Sequence, residues 1–119
     1  MLPKRHRFHG RAALRRVFQN GVSQRSRIII AKYTTSAPTR PARVAVVVSK
    51  KIYKSAVKRN RIRRRIFNIV RHDMKQHLQG FDIVLTVISP DALVMTHQQL
   101  SLEITKLLSR MRHPDQTQQ

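Results

Sequence analysis

The chain has 119 residues, which suits one domain rather than two. It carries 25 Lys and Arg residues against five Asp and Glu residues, a net charge of +20, and 40% of its residues are hydrophobic. Hydrophobic clusters of this kind exclude a disordered basic tail. The absence of Cys excludes a disulfide scaffold, a thiolate zinc site and a cysteine nucleophile.

The positive charge is concentrated in the first part of the chain. Residues 1–72 hold 21 of the 25 cations and no acid, whereas residues 73–119 hold four cations and five acids. A field this asymmetric indicates a polyanionic partner. The absence of acids continues well beyond residue 30, which favours a basic surface over an organelle transit peptide. No apolar run is long enough to predict a membrane span.

The first predicted elements are a short helix and one or two strands. Residues 1–9 are basic and expected to be extended. Apolar residues recur at helical spacing over residues 11–20, and Gly21 follows where the end of a helix favours a positive φ. Residues 27–34 are rich in β-branched side chains and predict a strand, preceded by another if residues 22–34 contain a bend.

The middle of the chain contains a buried strand and the longest helix. Residues 35–42 hold two prolines and form a loop, and the apolar run of residues 43–49 predicts a strand covered on both faces. Residues 56–79 are amphipathic at helical spacing. The apolar face of this helix consists of Ile62, Ile66, Phe67, Ile69, Val70 and Met74. The polar face consists of Lys58, Arg61, Arg64, Arg65, Asn68, Arg71, His72 and Lys75.

The last predicted elements are a strand and a helix. Gly80 ends the long helix, and residues 81–88 predict a strand. Thr96 and Gln99 form a capping box that starts the final helix. The core positions of that helix are Leu100, Ile104, Leu107, Leu108 and Met111.

The order of these elements predicts the fold class. It is α-β-β(-β)-α-β-α, which is typical of an α+β protein built as a two-layer α/β sandwich. Residues 1–112 are predicted to form a single domain, and residues 113–119 a polar tail. The strand–helix–strand segment of residues 43–88 can form a parallel pair, for which the general rule favours a right-handed crossover.

The densest chemical feature is the start of the long helix. Six of the eight residues from Lys58 to Arg65 are cations, and no nearby acid relieves their repulsion. A solvated basic face is the simpler reading, but the charge of the whole first half favours a surface that binds phosphates. Arg59 and Arg63 project toward the apolar side of the helix, with Asn60 near its border, which indicates a site at the rim of the sheet.

Aromatic residues in the basic half are candidates for base stacking. Phe8, Phe18 and Tyr33 could each stack on single-stranded RNA, although Phe18 could equally pack between helix and sheet. Phe67 and Phe81 are expected in the core. Catalytic alternatives are poorly supported, because the five acids are dispersed and the three Gly residues form no phosphate loop.

Two segments resemble the protein subunit of bacterial ribonuclease P. Residues 43–52 read RVAVVVSKKI and residues 56–65 read AVKRNRIRRR, which are similar to the "VSKK" strand end and "AVxRNRxxR" helix start of that family. Arg7-Phe8, Val17-Phe18 and Gly21 match the family at the right spacing. The order of elements agrees over residues 5–111.

The resemblance implies a fold and an activity. The family forms a compact α/β sandwich with a left-handed β-α-β crossover, in place of the right-handed one that the general rule favours. Its holoenzyme removes the 5′ leader of precursor tRNA by phosphodiester hydrolysis in the cytoplasm. A large RNA subunit carries the catalysis with magnesium ions, so the resemblance implies no catalytic or metal-binding side chain on the protein, no membrane and no required protein partner.

The resemblance also implies two sets of contact residues. The residues implied to contact the RNA subunit are Lys58, Arg59, Asn60, Arg61, Arg63, Arg64 and Arg65. Those implied to line a cleft for the leader of precursor tRNA are Phe8, Phe18, Tyr33, Lys50 and Lys51. The chain departs from the family at Leu14, where many members have a second Phe, and at Ala45, where many have Gly.

Three other functions remain open on the residues alone. A basic ribosomal or other structural RNA-binding protein shares the charge and the scaffold. A standalone nuclease is disfavoured by the scarcity of acids. A DNA-binding regulator is disfavoured because the sequence lacks helix-turn-helix spacing and a dimer seam.

Overall fold

The computed structural model describes residues 11–35, 39–74 and 77–111. The predicted contributions of Phe8 and of the polar tail therefore lie outside the described residues. The elements are α1 (Arg11–Asn20), β1 (Val22–Arg25), β2 (Ile29–Thr35), β3 (Arg43–Val48), α2 (Ala56–Met74), β4 (Phe81–Val87), α3 (Asp91–Val94) and α4 (His97–Ser109). No helix in these three ranges is long and apolar enough to cross a membrane.

The four strands form one sheet in the order β1-β2-β4-β3. β2 pairs antiparallel with β1 and β4, whereas β3 pairs parallel with β4. The bend that separates β1 from β2 lies at residues 26–28, so the four-strand alternative is confirmed. The predicted crossover is confirmed as well, because α2 connects the parallel neighbours β3 and β4. That the crossover is left-handed stays a prediction of the resemblance.

One face of the sheet carries the hydrophobic core. Alternate residues of the three longer strands point to this face and are buried together with the apolar sides of α2 and α4. The predicted core positions of α4 are all buried, and the capping box of Thr96 and Gln99 is present. On α2, Ile62, Ile66 and Val70 are fully buried as predicted.

On the opposite face, α1 is the element in the described ranges that covers the sheet, and it covers only part of it. Val17 of α1 is 0% exposed, and Lys32 Nζ donates a hydrogen bond to the carbonyl oxygen of Phe18 at 2.6 Å. Lys32 pairs with Val84 across the strands, so both residues point to the α1 side. This face is less well covered near β3, where Ala45 and Val47 are half-buried. The uncovered part forms a strip beside α1.

A buried ion pair joins the starts of β3 and β4. Arg43 Nη2 donates to Asp82 Oδ2 at 2.6 Å, and Arg43 Nε donates to Asp82 Oδ1 at 2.9 Å. The hydrogen bonds to Asp82 raise the pKa of Arg43. Asp82 is 4% exposed and is the one buried charged residue in the described part of the chain. Because Arg43 and Asp82 face each other in the parallel ladder, their bidentate contact favours this register.

Several details differ from the sequence predictions. The described part of α2 runs to Met74, and residues 77–79 lie outside the helix, so it does not reach residue 79 as predicted; the short helix α3 was not predicted. Among the described glycines, the positive φ belongs to Gly80, at 83°, and not to Gly21. Gly21 is required for a different reason: a Cβ there would lie 2.3 Å from the carbonyl oxygen of Val17 and 3.1 Å from that of Tyr33.

Substitution of Gly21 by Ala is expected to destabilise the protein by about 1–3 kcal/mol, because the new methyl group meets backbone that must move. Urea unfolding followed by circular dichroism measures the change. Asn20→Ala is the matched control, since Asn20 is the exposed neighbour at the end of α1. Equal midpoints for the two variants would show that the carbonyl oxygens of Val17 and Tyr33 do not crowd Gly21 as closely as described.

Candidate nucleic-acid interface

The basic segment of α2 forms a regular helix start. Ser55 precedes the helix, and its Oγ accepts a hydrogen bond from the backbone N–H of Lys58 at 3.3 Å. This contact satisfies one of the N–H groups that a helix start leaves unpaired. The first turn contains no acid, so the partial positive charge of the helix N-terminus adds to that of the side chains.

Burial of the apolar side holds the like charges together. Ile62 and Ile66 are fully buried, and each contributes roughly 1.5–3 kcal/mol. Repulsion between cations one turn apart costs only a few tenths of a kcal/mol per pair. The balance therefore favours the helix, and its outer face presents a dense positive surface.

The cations of this segment divide into two groups. Lys58, Arg61 and Arg64 are exposed, as is Asn60. In the ranges that the structure describes, ion pairs join Arg27 to Glu103 and Arg43 to Asp82, and none involves this segment. We call Lys58, Arg61 and Arg64 the outer cations; their charges face solvent without a protein counterion.

Arg59 and Arg63 are half-buried and make local contacts. Arg59 Nη1 donates to the carbonyl oxygens of Tyr53 at 2.9 Å and Lys54 at 2.8 Å, which ties α2 to the loop before it. Arg63 Nη1 donates to Asn60 Oδ1 at 2.7 Å. Arg59 thus turns toward the loop, whereas Arg63 is held by a neighbour on the helix itself.

Tyr53 extends this network to the segment after β4. Its hydroxyl donates to the carbonyl oxygen of Pro90. Desolvation, together with the carboxylate of Asp91, raises the pKa of Tyr53, so the hydroxyl keeps its proton as a donor near neutral pH. Arg59 and Tyr53 together connect the start of α2 with the ends of β3 and β4.

Arg65 has a structural role that its sequence position does not reveal. Its guanidinium donates to three backbone carbonyls, those of Ala92 at 2.9 Å, Leu93 at 2.8 Å and Met95 at 2.6 Å. These acceptors belong to α3 and the residue after it, some 30 positions away in the chain. The structure therefore separates Arg65 from the outer cations, with which the sequence prediction grouped it.

The predicted cleft residues around the open strip are only partly brought together. Phe18 lies on α1 with 44% of its surface exposed. Lys50 and Lys51 are exposed in the turn that follows β3. Because Ala45 and Val47 of β3 point to the same face as α1, the strip lies beside the helix that carries Phe18, and Lys50 and Lys51 follow beyond the end of β3. Phe81 is in the core, as expected. Phe67 is half-buried and packs against the core cluster.

Tyr33 does not share this face. It pairs with Ile83 on the core side of the sheet, is 5% exposed, and packs edge-on against Phe81 with ring centroids 5.5 Å apart. The prediction that its ring stacks on a leader base is therefore corrected. A shift of one residue along a strand reverses the face, so Lys32 and Thr34 are the β2 neighbours that point toward α1.

The described residues do not form a metal site. Within residues 11–35, 39–74 and 77–111, no three His, Cys, Asp or Glu side chains come together in a group that could hold a metal ion. The magnesium that the resemblance implies is assigned to the RNA subunit, not to protein side chains.

Comparison with known proteins identifies the family. The sequence profile of the family described as Ribonuclease P matches residues 2–112. The chain belongs to the ribonuclease P protein family. A ribonuclease P protein component of Pseudanabaena is 31% identical over 94% of this chain and 96% of its own length. A similar protein from Synechocystis is 28% identical over 92% of this chain and 87% of its own length.

Solved structures agree with the fold. The RNase P protein of Thermotoga maritima superposes with a TM-score of 0.80 at 21% identity, over 92% of this chain and all of the other. That of Staphylococcus aureus superposes with a TM-score of 0.74 at 26% identity, over 89% of this chain and 94% of the other. The α+β fold predicted from the sequence is confirmed.

Family membership establishes the general role. The chain is a protein subunit of ribonuclease P, the ribonucleoprotein endoribonuclease of tRNA 5′ processing, and it works with the RNA subunit. The comparisons give no support to the alternative of a ribosomal or other structural RNA-binding protein. The exposed cations of α2 and the open strip beside α1 are the two surfaces on which such a role can rest.

Arg65→Met is expected to lower the free energy of unfolding by about 2–3 kcal/mol, because three carbonyls lose a charged donor. Arg64→Met removes the same charge at the neighbouring exposed position and should change stability by less than about 0.5 kcal/mol. Thermal unfolding of both variants provides the comparison. A destabilisation of the Arg64 variant as large as that of the Arg65 variant would contradict the division described here.

Proposed function

We propose that the outer cations of α2 bind the RNA subunit of ribonuclease P, and that the open strip beside α1 binds the leader of precursor tRNA. The observation that supports the first contact most directly is the combination of three exposed, unpaired cations on a helix whose other side is fully buried. Such a helix can approach a folded RNA without rearrangement of the protein.

The chemistry of the α2 surface suits phosphates. Arg61 and Arg64 each offer a planar fork of N–H donors that can contact two oxygens of one phosphate. Among the residues that the structure describes, no ion pair engages either arginine, so RNA binding breaks none of the ion pairs described here. Asn60 accepts a hydrogen bond from Arg63 and keeps its amide N–H group for the RNA. Arg59 and Arg65 hold the helix in place through backbone carbonyls.

The strip beside α1 suits a single strand. Phe18 presents an exposed ring at one side, and stacking of a base on such a ring is tolerant of sequence. The floor is formed by short side chains, including Ala45 and Val47, which leave room for an extended strand. Lys50 and Lys51 extend the strip with positive charge at the end of β3. Contacts with the leader would favour precursor tRNA over mature tRNA.

The remaining components of the reaction are assigned to the RNA. We propose that magnesium ions are held by the RNA subunit and that no protein side chain takes part in bond cleavage. The protein contributes affinity and position, because its cations reduce the repulsion between the RNA subunit and its substrate. The cytoplasm, where precursor tRNA is processed in bacteria, is the proposed location.

Replacement of Arg61 and Arg64 by Gln is expected to weaken binding to the RNA subunit. If each arginine contacts one phosphate, the slope of log K against log salt should become less steep by about 1.4–1.8. The measurement is a salt titration of the protein with the labelled RNA subunit.

The matched control is the double variant Arg40→Gln and Arg71→Gln, which we call the distal pair. Both residues are exposed, Arg40 before β3 and Arg71 about two turns beyond Arg64 on α2, so the variant loses the same charge away from the basic helix start. Identical slopes for the two double variants would show that net charge alone governs binding and would refute the assignment of α2.

Phe18→Ala is expected to reduce the preference of the holoenzyme for precursor over mature tRNA by roughly 5- to 150-fold, if one base stacks on the ring at about 1–3 kcal/mol. Competition binding with the two tRNAs measures the ratio. Leu102→Ala, which removes an apolar side chain that is 59% exposed on α4, should leave the ratio unchanged. An unchanged ratio in the Phe18 variant would exclude stacking at this position.

A further inference from the structure

A basic pocket lies between the β1–β2 bend and the end of α4, outside the two surfaces discussed above. Its volume is about 250 Å³. Four cations line it, two from each end of the chain: Arg25, Arg27, Lys106 and Arg110. Residue spacing does not reveal this cluster, because Lys106 and Arg110 lie in the part of the chain whose net charge is slightly negative.

The bend that carries two of these arginines is held by a small hydrogen-bond network. Ser26 Oγ accepts from the backbone N–H groups of Ile28 at 3.3 Å and Ile29 at 3.1 Å. The Ser26 N–H in turn donates to the carbonyl oxygen of Ile29 at 2.9 Å. Ile28 and Ile29 are both fully buried, which anchors the bend in the core. The backbone around Arg25 and Arg27 is therefore fixed before any ligand binds.

The charge of the pocket is only partly compensated. Glu103, the one acid in its lining, contacts Arg27 Nε at a distance of 3.6 Å, and the two side chains are 29% and 68% exposed. In the described part of the chain, no ion pair engages Arg25, Lys106 or Arg110. Lys106 and Arg110 are favoured at the end of α4 by the helix dipole, but that effect leaves their N–H donors free for a ligand.

The register of the sheet places this pocket at the same end of the molecule as the proposed RNA surfaces. Arg25 pairs with Ile30 near the start of β2, and Val87 at the end of β4 pairs with both Ile29 and Val48. The bend after β1 and the turn after β3, with Lys50 and Lys51, therefore lie at one end of the sheet. Three strand spacings separate them, roughly 14 Å.

We propose that this pocket binds a backbone phosphate of RNA, as a third contact in the holoenzyme. The ligand class follows from the lining: three uncompensated cations, two of them arginines, form a pocket sized for a phosphodiester group and not for a folded protein surface. Its place at the end of the sheet extends the proposed RNA-binding surface across all four strands. The phosphate belongs either to the RNA subunit or to precursor tRNA. This inference rests on the role of the protein as a ribonuclease P subunit.

The test is the double variant Arg25→Gln and Lys106→Gln in the reconstituted holoenzyme. One arm titrates the protein with the RNA subunit, and the other titrates the holoenzyme with precursor tRNA, each over a range of salt. We expect the salt slope to become less steep by about 1 in the arm whose RNA occupies the pocket. The distal pair, Arg40→Gln and Arg71→Gln, is the control for the loss of two charges.

A second variant tests the pocket in the opposite direction. Glu103→Gln removes its one acid, so affinity should rise in the same arm in which the double variant lowers it. Slopes equal to those of the distal pair in both arms would overturn the proposal and would leave an acidic peptide as the ligand to examine. The double variant of Arg61 and Arg64 is measured in parallel. Because it lies on α2 and the Arg25 and Lys106 variant lies at the pocket, a negative result at the pocket can be distinguished from a negative result for α2. Thermal unfolding confirms that each variant is folded.

Discussion

The parallel pairing of β3 with β4 is the constraint on which the architecture of the RNA-binding surfaces depends. Parallel neighbours cannot be joined by a tight turn, so the chain must cross from one end of the sheet to the other, and α2 makes that crossing. The ion pair of Arg43 and Asp82 favours the register at the start of both strands. At the other end, β3 stops at Val48 and the basic start of α2 follows after a short loop. The position of the basic helix is thus a consequence of strand topology.

Arginine serves several physical purposes in this small protein. Arg43 is half-buried and pairs with the buried carboxylate of Asp82, Arg65 donates to three backbone carbonyls, and Arg64 is exposed to solvent. The difference lies in the acceptors within reach, since a guanidinium offers five donors and keeps its charge in every environment. A high arginine content therefore does not translate directly into RNA contacts. The structure leaves the outer cations and Asn60 exposed on α2, and it gathers further cations in a pocket at the opposite edge of the sheet.

Much of the fold could be predicted because the spacing of apolar residues along the chain indicates which side of each helix is buried. The apolar positions of α2 and α4 repeat at helical spacing and are buried, and the capping box marks the start of α4. Tyr33 shows the limit of this reasoning. As an aromatic residue in the basic half it was a candidate for stacking, but the face on which a strand residue lies depends on the strand register, and a shift of one position moves its side chain to the other face. Gly21 shows the same limit. A side chain is excluded there by the carbonyl oxygens of Val17 and of Tyr33 on β2, and this crowding exists only in the folded chain.

By itself, the sequence determined the class of the protein: its charge pointed to a polyanion, its periodicity to an α+β domain, and its two motifs to the ribonuclease P family. These properties are local in the chain, so they can be read without coordinates. Only the tertiary structure decided which cations are available to RNA and where further ones gather. Arg65 donates to carbonyls of α3, and Arg25 lines the same pocket as Lys106, although the residues in each set lie tens of positions apart in the chain. Such contacts depend on how the elements pack, which spacing along the chain does not encode.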